Sequence, residues 1–384
     1  MSRLFTIGHI ATIPIRLHWS WLLIFALLVV GLSPAYGMVV CGESGPCWAS
    51  ASLAALMAAL IGLSVLLHEL GHALVAARLA VPVHSITLFA FGGVAEVERE
   101  SPSPGVDLAI AVAGPAVSLL IALFAGSFWW SRGGLAAELD ALTVVAAHLA
   151  VANLMMGLFN LLPGYPMDGG RVLRATLWFL GDDRFPATQT AAYVGQLCGF
   201  AIAFGGLALA LGVGQPLAAL WPALIGLFLY RTAKASLRGL RLQMALHGVK
   251  VGDLMQRQPL QVRADLTLEQ FVASHVLGQA ETSFVVVADD TNAMPTVLGL
   301  MTLRDLRRFT TAQWSERRVA EAMTPHSQVA LLTAQTPALD ALVALNASPE
   351  GLLPVTDGPH LIGLLRRRDV AVYVQVQLAR GRSG

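Results

Sequence analysis

Charge is what this 384-residue sequence has least of. Asp, Glu, Lys and Arg make up 13% of it, about half the share usual in a soluble globular protein. Twenty-five basic residues face 24 acidic ones, for a net charge of +1, and no basic stripe runs through the chain. That balance excludes nucleic acid as a partner, which needs a concentrated positive face. The first apolar run, Leu17 to Leu32, lacks a small-residue cleavage site and is followed by more such runs, which excludes a cleavable signal peptide. Cysteine is scarce as well, with three residues, too few for a disulfide framework. Cys41 and Cys47 bound a short polar loop between two apolar runs, where the spacing allows either a disulfide or two free thiols. Cys198 lies in a later apolar run and reads as a small packing residue.

What fills the space left by charge is apolar. Hydrophobic residues reach 55%, and the mean hydropathy is +0.65. The excess is uneven: residues 15–232 hold long uncharged runs, whereas 250–384 read as an ordinary soluble sequence. We expect a membrane domain over 1–242 and a soluble domain over 243–384. Crossing the hydrocarbon core takes about 20 apolar residues on a helix. Six runs approach that length, 17–32, 49–80, 107–130, 142–162, 190–212 and 216–232, so six transmembrane helices are predicted. Arg3, Arg16, Arg78, Arg99, Arg171, Arg174, Arg184 and the basic cluster from Arg231 to Arg241 fall on one side. The opposite loops hold only Arg132. By the positive-inside rule both ends of the chain are cytoplasmic and the cysteine loop is not.

Within the second run lies His68-Glu69-Leu70-Gly71-His72. Two imidazoles four residues apart share one helix face and can chelate one metal ion. Glu69 stands beside them as a carboxylate able to take a proton from water acidified by that metal. Ionisable groups at membrane depth are costly and mark function. His68 follows the start of the span at Ala49 by about 19 residues, or roughly 28 Å, which sets the site near the cytoplasmic side. Two imidazoles, one carboxylate and an open position suit zinc.

Three further stretches bear on this half-site. Ser85 to Glu98 reads as two short β-prone runs meeting at Gly92-Gly93, a membrane-associated hairpin. It is either a plain connection or an edge able to receive an extended peptide. In the third span, Ala113 to Ser118 contains Gly114-Pro115, which predicts close helix approach and a local break. The fourth span ends in Asn160-Leu161-Leu162-Pro163-Gly164-Tyr165-Pro166-Met167-Asp168-Gly169-Gly170-Arg171, where prolines and glycines break the helix and a new one begins near Arg171. Asp168 is an N-cap or, given a two-histidine motif short of one ligand, the third ligand, with the glycine pair admitting a close approach of backbone and metal. Asn160 is an interhelical packing residue or a hydrogen-bond donor to an oxyanion or to substrate backbone. His18 and His148 are read as packing residues in apolar spans.

After a basic connector the chain repeats itself with a period near 65 residues. Val251-Gly252-Asp253-Leu254-Met255 is echoed by Val319-Ala320-Glu321-Ala322-Met323, and Gly299 to Asp305 by Gly363 to Asp369. Each copy, about 250–310 and 318–378, reads as helix, strand, strand and closing helix, a small α/β unit.

Taken together, the His68-Glu69-x-x-His72 motif, the Phe91-Gly92-Gly93 hairpin, Gly114-Pro115 and Asn160 through Gly170 resemble the site-2 protease family of intramembrane zinc metalloproteases, peptidase family M50. The tail repeat resembles a pair of CBS domains, as in the six-helix branch of that family. The resemblance implies a polytopic α-helical membrane protein with a cytoplasmic α/β CBS pair, in the cell (inner) membrane. It implies a zinc metalloendopeptidase with His68, His72 and Asp168 as metal ligands, Glu69 as catalytic carboxylate and Asn160 on the oxyanion or substrate. It also implies a single-pass membrane protein substrate, cut within or near its transmembrane helix in regulated proteolysis. Met167 departs from the leucine common in the family before the Asp. In CBS pairs a Gly-x-x-Thr/Ser-x-x-Asp pattern binds adenine nucleotide; Thr302 and Asp305 match it, whereas the second copy keeps Asp369 but has Arg366 for the hydroxyl. The tail is therefore either a nucleotide sensor or a module for homodimerisation and substrate docking. The rival functions are a CBS-regulated channel or transporter, which predicts polar residues spread over several spans, and an inactive membrane scaffold.

Overall fold

The computed structural model describes residues 4–380 apart from 11, 42–46, 91, 98–100, 137–139, 214–219, 258, 278–281 and 289–295. Arg3, Phe91, Glu98 and Arg99 of the sequence motifs lie outside the described residues. The chain divides into two compact units, Met1–Leu240 and Arg241–Gly384.

The first unit opens with a hairpin of β1 (Leu4–Ile10) and β2 (Ile13–His18), followed by α1 (Ser20–Val40) and α2 (Trp48–Arg78). A second hairpin, β3 (Val83–Phe89) and β4 (Gly92–Val97), leads into α3 (Pro104–Ser131), α4 (Ala141–Asn160), α5 (Asp168–Gly181), α6 (Arg184–Val213) and α7 (Leu220–Leu246). Among the described residues, five helices are long and apolar enough to cross a bilayer: α1, α2, α3, α4 and α6. The sixth predicted span, 216–232, starts outside the described residues. Its described part continues into a basic half carrying Arg231, Lys234, Arg238 and Arg241, so α7 does not meet that standard. Large apolar side chains such as Leu23 on α1, Phe124 on α3 and Phe204 on α6 point outward, as helices in hydrocarbon allow.

The predicted hairpin is present as β3–β4, but it belongs to a four-stranded sheet in the order β1-β2-β3-β4. β2 runs parallel to β3, pairing Ile15 with Ile86 and Leu17 with Leu88, a contact across some 70 residues that local patterning does not reveal. His18 therefore ends a strand instead of lying in a span, and its Nδ1 meets Ser20 Oγ at 2.6 Å. Ser20 Oγ also accepts from the Ala90 amide at 3.1 Å, tying the start of α1 to the turn of the second hairpin. His148 does sit in a span, on α4, against the fully buried Tyr36.

α3 starts at a Ser103 cap followed by Pro104 and continues unbroken through Pro115, so the break expected at Gly114-Pro115 does not occur. The close helix approach expected there is present: a side chain at Gly71 of α2 would strike the Ala113 backbone and Val117. Cys41 and Cys47 form a disulfide between α1 and α2, and Cys198 is free.

The second unit holds the repeat. The first copy contains α8 (Val251–Leu254), β5 (Gln261–Arg263), α9 (Leu268–Phe271), β6 (Ser283–Val287), β7 (Val297–Thr302) and α10 (Leu303–Leu306). The second contains α11 (Val319–Ala322), β8 (Thr324–Pro325), α12 (Ala338–Ala347), β9 (Leu352–Asp357), β10 (His360–Arg366) and α13 (Arg367–Arg380). The copies pair with each other: β8 of the second joins β7 of the first, and Gln256 of the first makes an isolated bridge to Leu364 on β10 of the second. β6 is buried along its whole length, the pattern of a central strand covered on both faces.

Denatured protein kept free of reductant is expected to show one reactive thiol per chain, rising to three after reduction. Three thiols without reduction would contradict the Cys41–Cys47 bond.

Candidate metal centre

α2 carries His68 and His72 one turn apart, both buried. Each ring is held at its far nitrogen by α3. His72 Nδ1–H donates to the Ile110 carbonyl at 2.7 Å, and His68 Nδ1 meets Ser118 Oγ at 2.8 Å. A carbonyl only accepts, so His72 must carry its proton on Nδ1 and present a lone pair at Nε2. With Nδ1–H of His68 donating to Ser118, His68 does the same.

Both Nε2 atoms face Asp168, which comes from the first turn of α5. Its Oδ2 lies 3.2 Å from His68 Nε2 and 3.1 Å from His72 Nε2, and the two nitrogens are 3.3 Å apart. Three electron-rich atoms thus converge with no proton of their own to share. Their separations are those of one face of a tetrahedron: ligands at about 2.0 Å from zinc stand about 3.3 Å from each other. The donor set, two imidazoles and a carboxylate, is one that zinc takes.

Space is reserved at the same point. A Cβ built on Gly114 would collide with Nε2 of both histidines, so this residue is the wall of the centre, and only glycine leaves the volume open. The glycine pair after Asp168 works differently from the expectation. Side chains at Gly169 and Gly170 would strike the backbone of Leu161, Leu162, Gly164 and Tyr165; the pair seats the irregular turn on α5 and does not approach the metal position. Asp168 is not the N-cap either. Met167 holds that position, and the carboxylate is left to the imidazoles.

The remaining predicted residues line one cavity of about 560 Å³. Glu69 and Asn160 both face it, together with the three converging residues and Gly92, Gly93 and Val94 of β4. Glu69 packs against Gly93, where a Cβ would overlap its Cγ; the hairpin glycine thereby sets the position of the acid. Part of its lining is apolar, from Trp21, Ile24, Phe25 and Leu28 of α1. Sequence reasoning misses Ser118 and the Ile110 carbonyl and misreads Gly114. A serine or glycine in an apolar helix looks like a packing residue, and a carbonyl contact leaves no trace in residue type.

In the second unit Thr302 and Asp305 are buried and bound to one another: the Thr302 amide and hydroxyl donate to Asp305 Oδ2 at 3.0 and 2.8 Å, capping α10. The Arg366 amide donates likewise to Asp369 Oδ2 at 3.1 Å. Asp369 also lines a cavity of about 590 Å³ with Asp253, Gln256, Arg368, Tyr373 and Arg380.

Similarity to known proteins follows the same lines. The model of "Peptidase family M50" matches residues 56–133 and 130–206. The chain is 34% identical over 372 residues to "Putative zinc metalloprotease Rip3" of Mycobacterium tuberculosis, covering 96% of this chain and 92% of the relative. It is 32% identical over 264 residues to "Zinc metalloprotease MJ0392" of Methanocaldococcus jannaschii, covering 68% of each. Among solved structures, the site-2 protease from Methanocaldococcus jannaschii aligns at 30% identity and a TM-score of 0.42, covering 62% of this chain and 96% of that one.

Gly114→Ala is expected to lower zinc affinity of the purified protein by at least about tenfold without unfolding it, measured by chelator competition. Unchanged affinity would contradict the reserved volume.

Proposed function

The chain belongs to peptidase family M50, and from that premise we propose that it cuts the transmembrane segments of single-pass membrane proteins at the His68–His72–Asp168 centre. It is a zinc metalloprotease and a multi-pass membrane protein; the site residues, substrate and control are our reading. The observation that carries it is the approach of three lone-pair donors to within 3.3 Å at the wall of the cavity that also holds Glu69.

His68, His72 and Asp168 would hold zinc, which when bound supplies a Lewis acid to polarise a peptide carbonyl and acidify water. Glu69 takes the proton from the attacking water and delivers it to the leaving amine nitrogen, so one carboxylate acts as base and then as acid. Asn160, across the same cavity, donates from its side-chain amide to the developing oxyanion or the substrate backbone. A peptide bond inside a helix is shielded by its own hydrogen bonds, so the substrate must be extended before it is cut. β4 supports that step: it is the edge strand of the sheet and runs beside Glu69 through Gly93. The cavity's apolar wall suits a transmembrane segment.

The arginine distribution supports a cytoplasmic location for both chain ends and for the metal centre, in the cell membrane. We read the tail as a CBS pair that regulates cleavage, with adenine nucleotide in the cavity of Asp369, Arg368 and Arg380. Its volume is in the range of small-ligand pockets and its arginines suit phosphate. Thr302 and Asp305 form the matching position in the first copy, and homodimerisation through the tail is the accompanying expectation.

Two measurements test the reading. Glu69→Gln is expected to keep its zinc and to cleave a model transmembrane substrate about 10²- to 10⁴-fold more slowly. Asp168→Ala is expected to lose zinc on purification. Undiminished cleavage by Glu69→Gln would sink the assignment. For the tail, ATP, ADP or AMP added to the full-length protein should change the cleavage rate, and Asp369→Ala should abolish that response while leaving the basal rate intact. A rate indifferent to all three nucleotides would remove the nucleotide from the proposal.

A further inference from the structure

One face of α3 serves the metal centre at helical spacing. Asp107, Ile110, Gly114 and Ser118 follow one another at intervals of about three, four and four residues, and so lie along one stripe. Ile110 and Ser118 orient the two imidazoles, and Gly114 leaves room for their Nε2 atoms. Asp107 stands one turn earlier on the same stripe and turns to a different helix.

Its carboxylate is 0% exposed. It accepts from Arg174 Nε at 2.8 Å and Nη2 at 2.6 Å, from Arg171 Nη2 at 3.3 Å, and from Ser101 Oγ at 3.0 Å. A carboxylate removed from water persists only where it is fully paired, and the bidentate arginine fork is the strongest such pairing. Both arginines stand on α5, where Asp168, Arg171 and Arg174 recur every three residues along one side. The fork therefore joins the helix that orients the histidines to the helix that brings the carboxylate ligand.

We propose that Asp107 is the positioning residue for Asp168. The histidines need no such aid, because they share one helix and their spacing is built in. Asp168 reaches them from a separate helix after the irregular turn 161–167, so its placement depends on how α5 is rotated and seated against α3. The Asp107–Arg174 fork fixes that rotation. Arg171, which lines the cavity as well, adds a second point on the same face. The inference rests on His68, His72 and Asp168 being the metal ligands.

The test uses the full-length protein loaded with zinc or with cobalt(II). Asp107→Asn keeps the shape of the side chain and removes the charge that grips the fork. It is expected to bind zinc about 10- to 100-fold more weakly in chelator competition. The cobalt-loaded variant should show visible absorption altered from that of the cobalt-loaded wild type, as a displaced carboxylate ligand requires. Arg174→Lys keeps the charge and loses the fork, so it should move affinity and spectrum the same way, and it carries the comparison if Asp107→Asn does not fold. A folded variant with wild-type zinc affinity and an unaltered cobalt spectrum, changed only in thermal stability, would overturn the positioning role and leave the ligand assignment standing. A wild-type protein that takes up neither metal would overturn the ligand assignment itself.

Discussion

Two imidazole lone pairs and a carboxylate aimed at one point, in a segment built for hydrocarbon, are the constraint on which the membrane unit turns. Left to themselves these groups would repel, or draw a proton between them, and burial would make either outcome expensive. The chain resists this by fixing each group from behind. A carbonyl sets the tautomer of His72, a hydroxyl holds His68, and the first turn of α5 delivers Asp168. The result is a cluster of three ligand atoms suited to a cation.

Small residues make that arrangement possible. Gly71 lets α2 and α3 approach closely enough for the Ile110 carbonyl and Ser118 to reach the rings, and Gly114 keeps the gap between them open. Gly93 performs the same service for Glu69 from the sheet side. These glycines are conformationally ordinary; what they provide is absence of bulk at contacts between backbones and reactive groups.

Much of this is legible in the sequence, for definable reasons. His68, Glu69 and His72 announce themselves because ionisable groups stand out against an apolar background. Asp168 is legible only by combination, as the carboxylate on a broken stretch beside a site short of one ligand. The β3–β4 hairpin and the tail repeat are readable because their signals are local or periodic. The β1–β2 hairpin is not, because its stability comes from parallel pairing of β2 with a strand some 70 residues away. His18 is misplaced for the same reason, since the first apolar run overlaps the end of β2. The sixth span is counted from an apolar run that the structure carries on into a basic half. The break expected at Gly114-Pro115 does not appear, because α3 runs as one helix from Pro104 to Ser131 with Pro115 inside it.

The pairing between the two repeats of the tail has a mechanical consequence. β8 of the second copy forms the edge of the first copy's sheet on β7, and Gln256 of the first copy bridges β10 of the second, so backbone hydrogen bonds cross between the repeats in both directions. A distortion imposed on one half is passed across by backbone hydrogen bonds, which break or hold as a row. The two repeats are thereby coupled mechanically: one does not deform without loading the other.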